Sequence, residues 1–477
     1  MPGILSRMRS IERFLRVLPL PLALLASALA TLAHAAPVLM ISIDGLKPEY
    51  VTQADARGMK LPYLRSLMRD GAYAEGVVGV WPTVTYPSHT TLLTGVSPAV
   101  HGIYNNLEFD PEMHYSGAWH WYASQIKVPT LWKVAHAAGL STASIGWPVS
   151  VGATDVDWLI PEFWRSADPS SATNPAARLL LAALARPDTL LQQLAPAAGL
   201  YMMGNDTSVG GDETKTRYAL EILRRYKPAF MTIHLSSLDD AQHAHAPFSP
   251  EADLTLESID GMVARLAAAA VANDPSAVLV VVSDHGFMNI SHLVNLYIPF
   301  LQAGLIQATV NPQTNAPTIS SWKAEPWMAG GMAAITLHDA SDLQTEQQVR
   351  ALLDKLAADP ASGIAEILDR DAIQKREAFP DAAFLVVLKP GYYTGPATTG
   401  SLVTEIPGNR GSHGFSPEYP EMRASFFVMG AGIALHRDLG VIDMRQIAPT
   451  LATILGAPMP SAKAAPLILQ PSAGNAP

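Results

Sequence analysis

Val38-Leu39-Met40-Ile41-Ser42-Ile43-Asp44-Gly45 is apolar for most of its length and then stops on a carboxylate and a glycine. The pattern recurs in Phe230–Leu235, shortly before Asp239, and in Val278–Val282, just before Ser283 and Asp284. Continuous rather than alternating hydrophobicity marks strands buried on both faces, as in a parallel sheet covered by helices. Helical periodicity between and around these runs predicts helices over 61–69, 130–138, 213–226, 250–272 and 445–455. Strands alternating with helices define an α/β fold, a doubly wound sandwich whose functional residues belong just beyond the carboxyl ends of its strands. Three strands would then deliver Asp44, Asp239 and Asp284 to one edge of one sheet.

Farther out the pattern changes. Residues 150–210 are rich in Pro, Ala, Gly and Ser and read as irregular. The stretch 296–400 has strand-like runs at 333–337 and 383–388 and a helical run at 345–358, and is expected to form an inserted cap. The Pro- and Ala-rich tail after Pro458 is expected to fray.

Of the 477 residues, 49% are hydrophobic and 16% charged, enough to bury a large core and too apolar for a disordered chain. Arg7, Arg9, Arg13 and Arg16 precede an apolar run and then Ala33-His34-Ala35-Ala36, the layout of a cleaved signal peptide over 1–35. Pro19 and Pro21 interrupt a run already short for a bilayer span, so a leader is favoured over an anchor. Cleavage would remove four arginines and one glutamate, taking the formal charge from −10 to −13. So acidic a surface argues against a groove for nucleic acid. The chain has no cysteine, which excludes disulfides, thiolate metal sites and cysteine nucleophiles together. An exported chain of this kind fits a periplasmic or secreted bacterial protein.

Four short motifs carry chemistry. In Pro82-Thr83-Val84-Thr85-Tyr86-Pro87-Ser88-His89, Pro87 suits the first turn of a helix, which puts Thr85 at its start, where backbone N–H groups can meet an anion. Capping is the commoner use of such a threonine. In Ser237-Leu238-Asp239-Asp240-Ala241-Gln242-His243-Ala244-His245, the four-residue spacing of Asp239 and His243 puts carboxylate and imidazole on one helical face, within reach of a single cation. Ser283-Asp284-His285-Gly286 adds a carboxylate and an imidazole at a strand end. Gly411-Ser412-His413-Gly414 adds another imidazole. Each alone could be a polar turn; together they supply oxygen and nitrogen donors for two metals without thiolate.

With these motifs the chain resembles the nucleotide pyrophosphatase/phosphodiesterase family of the alkaline phosphatase superfamily. The family pattern Pro-Thr-x-Thr-x-Pro-x-His matches residues 82–89, and Thr94-Gly95 and His101-Gly102 continue it at the family's spacing. The resemblance implies an alkaline-phosphatase-like α/β/α sandwich with a mainly parallel sheet, residues 36–477 forming a single catalytic domain with its cap at about 296–400. It implies two Zn2+ ions. One would be held by Asp239, His243 and His413, the other by Asp44, Asp284 and His285 with the oxygen of Thr85. Thr85 would be the nucleophile that forms a phosphothreonine, Asn106 a donor to a phosphate oxygen, and Tyr86 an aromatic surface for a nucleobase or similar group. Asn105 departs from the aspartate of many relatives, and Asp240 and His245 are expected beside the metal ligands. The expected substrate is a small phosphodiester, such as a nucleotide, cut at phosphodiester or pyrophosphate bonds. Alternatives on the same residues are a phospholipase C-like, phosphonate- or phosphomonoester-cleaving enzyme and, from a different class, a periplasmic protein that binds metal or nucleotide without catalysis.

Overall fold

The computed structural model describes residues 36–112, 117–164, 175–201, 206–310 and 317–470. The expected signal peptide lies outside them. Val38–Ile43 is the middle of an eight-stranded sheet. In spatial order the strands are Arg437–Asp438, Ala72–Tyr73, Phe426–Met429, Val278–Val282, Val38–Ile43, Phe230–Leu235, Thr142–Ile145 and Trp158–Ile160. The last five run parallel to one another, and Phe426–Met429 pairs antiparallel to Val278–Val282.

The register explains why the site lies where it does. Ile43 pairs with Leu235, and Ser42 with Val282, so the residues that follow all three strands emerge on one edge. Period-two alternation sends Leu39, Ile41 and Ile43 to one face, where Leu64, Leu256, Ile259 and Val263 from flanking helices cover them. Val38 and Met40 point to the other face, against Leu92, Leu93, Leu131, Trp132 and Leu451. A mixed α/β fold with a central sheet and helices on both sides is therefore what the apolar runs build.

The expected helices are present as Pro62–Asp70, Leu131–Ala137, Val209–Tyr226, Pro250–Asn273 and Ile447–Ile454. Residues 150–210 are more regular than expected. They contain the strand Trp158–Ile160 and the helices Pro175–Leu184 and Leu190–Ala198, because runs such as Leu190-Leu191-Gln192-Gln193-Leu194-Ala195 are strong helix formers whatever the composition around them. The tail also departs from expectation. Leu469 is buried and its carbonyl accepts from Ala434 N–H, while Leu467 N–H donates to Thr450, so the chain packs back on the domain through residue 470.

Within 296–400 lies an antiparallel sheet of Ala324–Met328, Met332–Leu337, Ala382–Leu388 and Ile364–Asp369, backed by the helix Leu343–Ala357 with its own apolar core. The hairpin turn Ala329-Gly330-Gly331 of this sheet presses on the His413 loop. A Cβ on Gly330 would sit 2.4 Å from the His413 carbonyl oxygen, and one on Gly414 would sit 2.5 Å from the Ala329 carbonyl oxygen. Both glycines have positive φ, +77° and +85°. Among the described residues no helix is long and apolar enough to cross a membrane.

Candidate metal centre

Each chemistry-bearing motif reaches the carboxyl edge of the sheet by a different local device. Asp44 directly follows the strand Val38–Ile43, and Gly45 turns the chain at φ +68°, where a Cβ would meet the Gln242 amide at 2.9 Å. Asp239 and His243 share a face of the helix Ser237–His245. Asp284 and His285 follow the strand Val278–Val282 after one residue, Ser283. His413 follows the long strand Val403–Ser412. Thr85 is the first residue of the helix Thr85–Thr94 and is half-buried, as the position of Pro87 predicted.

Three imidazoles are oriented in the same way. His285 donates Nδ1–H to the Gly286 carbonyl, His243 to Gly411 and His413 to Thr83, each at 3.1 Å. Fixing Nδ1 as the donor turns each Nε2 lone pair inward, the usual preparation of a metal-ligating histidine. His243 Nε2 lies 3.4 Å from Asp239 Oδ2, and His413 Nε2 lies 3.7 Å from Asp239 Oδ1. His285 Nε2 lies 3.1 Å from Asp284 Oδ2, 3.4 Å from Asp44 Oδ1 and 3.5 Å from the Thr85 hydroxyl. The His285 and His413 rings stack at 3.6 Å.

Lone pairs facing carboxylate oxygens repel unless positive charge lies among them. Asp44 Oδ1, Asp239 Oδ1 and Asp284 Oδ2 are buried with no hydrogen-bond partner among the described residues. Leaving ionised oxygens dry and unpaired costs several kcal/mol each. Burial, followed by the neighbouring carboxylates, pushes Asp44 and Asp284 well above the usual carboxylate range. Burial pushes His285 well below the usual imidazole value, and His413 down to about 4, so both are neutral donors of a lone pair. These residues fit bound cations on all three counts.

Among the described residues, two groups have ligand atoms close enough to share an ion: Asp239, His243 and His413, and Asp44, Asp239 and His285. The first is the expected set. In the second Asp239 stands alongside Asp44 and His285 in place of the expected Asp284, which lies beside the group with Oδ1 accepting from Gly45 N–H at 3.1 Å and Oδ2 facing His285 Nε2. Asp239 thus faces both groups.

Around Thr85 the donors are fewer than a bare helix start would offer. Asn106 Oδ1 accepts the Tyr86 N–H at 2.9 Å, and Pro87 has none. This contact also settles the Asn106 amide orientation, leaving its NH2 end as a donor. Tyr86 does not present an open ring. It is 1% exposed, its ring meets Trp119 at 5.2 Å and Trp121 at 6.3 Å, and its hydroxyl donates to Glu162 at 2.6 Å. Asp240 and His245 are exposed at the rim. Lys47 and Arg410 place no cation in the cluster. The Lys47 ammonium donates to the Phe287 and Glu421 carbonyls, and Arg410 donates to that of Ala244.

Three buried residues were not legible as site residues. His89, inside a quoted motif, donates Nδ1–H to the Thr85 carbonyl at 2.9 Å and accepts from Ser42 at 2.8 Å. His234 and Glu162 lie behind Asp44 and Tyr86. Their only signal in sequence was polarity within or just after a buried strand.

Fold and site together define an α/β protein with a carboxylate–imidazole pocket able to hold two cations beside a threonine hydroxyl. The sequence profile of the Type I phosphodiesterase / nucleotide pyrophosphatase family matches residues 38–416, and the chain belongs to that family. Human ectonucleotide pyrophosphatase/phosphodiesterase family member 1 is 26% identical over 238 residues, 48% of this chain and 21% of that protein. Venom phosphodiesterase of Naja atra is 28% identical over 122 residues, 24% of this chain and 14% of that protein. The matched region is thus about a fifth or less of the length of these curated relatives. Murine ectonucleotide pyrophosphatase/phosphodiesterase 5, solved in an inactive form in complex with AMP, aligns with a TM-score of 0.60 at 17% identity, covering 88% of this chain and 95% of that one. The human protein of the same name gives 0.59 at 18% identity, over 89% and 96%. At these identities the structural likeness is one of fold.

Proposed function

We propose that this chain is an exported bacterial hydrolase of phosphodiester and pyrophosphate bonds in nucleotides, holding two Zn2+ ions and releasing nucleoside monophosphates through a phosphothreonine on Thr85. The observation that carries it is the Thr85 hydroxyl at a helix start, 3.5 Å from His285 Nε2, beside buried carboxylate oxygens that lack hydrogen-bond partners among the described residues. Family membership supplies the reaction class. Export and bacterial origin rest on the leader-like start and the absence of cysteine, the relatives named above being animal proteins.

Asp239, His243 and His413 would hold one ion, and Asp44, Asp284 and His285 the other, with Asp239 in reach of both. Zinc in these positions supplies Lewis acidity, which makes a nearby hydroxyl more acidic and draws charge from phosphate oxygens. Thr85 Oγ, having given up its proton to water, forms the new bond to phosphorus as the P–O bond to the leaving group breaks on the opposite side, and the departing oxygen takes a proton from water. Water then cleaves the phosphothreonine. The Asn106 NH2 donates to a non-bridging oxygen where charge develops. The helix beginning at Thr85 points its positive end at the same place. Residues 296–400 would form a cap whose Gly330 turn braces the His413 loop.

Lys47 and Arg410, the cations nearest the site motifs in sequence, do not clamp the pocket, and this favours diesters. A monoester carries more charge and gains more from Arg or Lys, whereas Lys47 and Arg410 are engaged with carbonyls. The test compares wild type with Thr85→Ala on the 4-nitrophenyl ester of thymidine 5′-monophosphate, a phosphocholine ester and 4-nitrophenyl phosphate, with metal content measured on both proteins. The proposal expects the nucleotide diester to be fastest, and the variant to keep its metal and lose at least about 10³-fold in kcat. An active variant would remove the nucleophile assignment. A faster monoester or phosphocholine ester would remove the substrate assignment.

A further inference from the structure

His234 differs from the three inward-facing histidines in that both of its ring nitrogens meet oxygens that act as acceptors here. Nε2 lies 3.0 Å from Asp44 Oδ2. Nδ1 lies 3.0 Å from Glu162 Oε2 and 3.1 Å from the Gly146 carbonyl oxygen. Glu162 continues the path, its Oε1 accepting from the Tyr86 hydroxyl at 2.6 Å. Asp44, His234, Glu162 and Tyr86 are 4%, 2%, 8% and 1% exposed, so this is a dry chain of hydrogen bonds in which few alternative partners compete. It joins the strand ends at Asp44 and His234 to Glu162, two residues beyond the strand Trp158–Ile160, and then to the residue after Thr85.

We infer that His234 and Glu162 are positioning residues that lock the Asp44 carboxylate with Oδ1 toward the metal pocket and tie that lock, through Tyr86, to the first turn of the nucleophile helix. This deepens the proposed function, since it rests on Asp44 being a cation ligand. The geometry divides the work of the two Asp44 oxygens. Oδ2 is engaged by His234, while Oδ1 is the buried oxygen without a hydrogen-bond partner among the described residues. A carboxylate free to rotate would present either oxygen, or neither, to the ion. Partners behind a ligand typically change metal affinity or activity by about 10- to 100-fold when removed. The path also assigns Tyr86 a role other than base stacking, that of a strut whose hydroxyl is fixed from below and whose ring is covered by Trp119 and Trp121.

The experiment titrates metal-free protein with Zn2+ against a competing chelator, and records Tm of the metal-free forms, for wild type, His234→Leu, His234→Gln, Glu162→Gln and Tyr86→Phe. Expected is a roughly 10- to 100-fold loss of affinity for one of two ions in His234→Leu, partial recovery in His234→Gln, which keeps an N–H to offer Asp44, and smaller losses in Glu162→Gln and Tyr86→Phe. His234→Leu and Tyr86→Phe combined should lose less than the product of their separate effects, because they interrupt one path. Wild-type zinc affinity in a folded His234→Leu would overturn the inference while leaving the proposed function intact. If His234→Leu does not fold, wild-type affinity in both Glu162→Gln and Tyr86→Phe would overturn it. A wild type that binds no zinc would overturn both.

Discussion

Replacing Gly330 by alanine tests whether the second sheet holds His413, a proposed metal ligand, in place. Gly330 has φ +77°, and an alanine there incurs roughly 1–2 kcal/mol from backbone conformation alone. Its Cβ would also stand 2.4 Å from the His413 carbonyl oxygen and 2.9 Å from the Gly414 Cα, where ordinary contacts begin at 3.4 Å. The obstacle is backbone on both sides, so no side chain can swing away. The His413 loop or the hairpin must move by about 1 Å, and displacement on that scale at a reacting site costs on the order of 10²-fold in rate. Gly304→Ala is the matched control. Its φ is +68° and a Cβ there meets no atom within 4 Å, so it carries the backbone cost without the collision. Both variants should lose Tm, but only Gly330→Ala should lose zinc affinity and kcat/KM on the nucleotide diester. Equal zinc affinity and turnover in a folded Gly330→Ala and in Gly304→Ala would refute the brace.

Chelation should destabilise the protein, because Asp44, Asp239 and Asp284 would keep buried oxygens without hydrogen-bond partners among the described residues. At about a hundredfold excess of zinc over Kd the difference is about 2.7 kcal/mol, read as a Tm drop with chelator that returns with zinc, and an unchanged Tm would count against bound cations. Glu325 gives a pH test away from the site. Burial raises it from 4.5 to about 8, against the Tyr297 hydroxyl that donates to it, so the folded state holds the proton more tightly than the unfolded one. The stability this group contributes is present below 4.5 and lost as pH rises to about 8, a span worth at most about 5 kcal/mol. Glu325→Gln should therefore match wild type in Tm near the lower value and exceed it near the upper, and a pH-independent difference would contradict this. Lys215 pairs at 3.1 Å with buried Asp212, whose oxygens accept from Ser236 and Ser237 N–H at the start of the Asp239 helix. Lys215→Met should cost about 3–5 kcal/mol in denaturant unfolding, and Asp212→Asn combined with Lys215→Met less than the single change; additive losses would show the pair is not a unit.

Sequence made the central strands legible because burial on both faces leaves a pattern that needs no partner to interpret. Val38–Ile43, Phe230–Leu235 and Val278–Val282 appear with the expected ends. The same rule placed Asp44, Asp239, Asp284 and His285 on one edge, and the structure brings them together with His413. Composition misled where it was averaged over too long a window. The helices of 175–198 are local Ala- and Leu-rich runs inside a stretch that reads as irregular overall. The packing of the tail is not legible in sequence because Leu467 and Leu469 find their neighbours only after the fold exists.

What lies beyond sequence is the layer behind the proposed ligands. His234 sits inside an apolar run, where one polar residue does not disturb the hydrophobic reading, and its partner Glu162 is 72 residues away. No local spacing relates the two, or relates Gly330 to His413. Both relations arise because the strand ends converge on one edge, so the space behind each ligand is filled by whichever chain passes there. Ligand spacing is a property of one turn of one element and can be read from a motif. Ligand orientation is a property of the packing around it. For Asp44 that packing is an imidazole on the neighbouring strand, held in turn by a carboxylate whose other oxygen accepts from Tyr86. A chain that kept every motif quoted above but lost His234 would keep the spacing and lose the orientation, so zinc affinity rather than motif content is the quantity that separates the two.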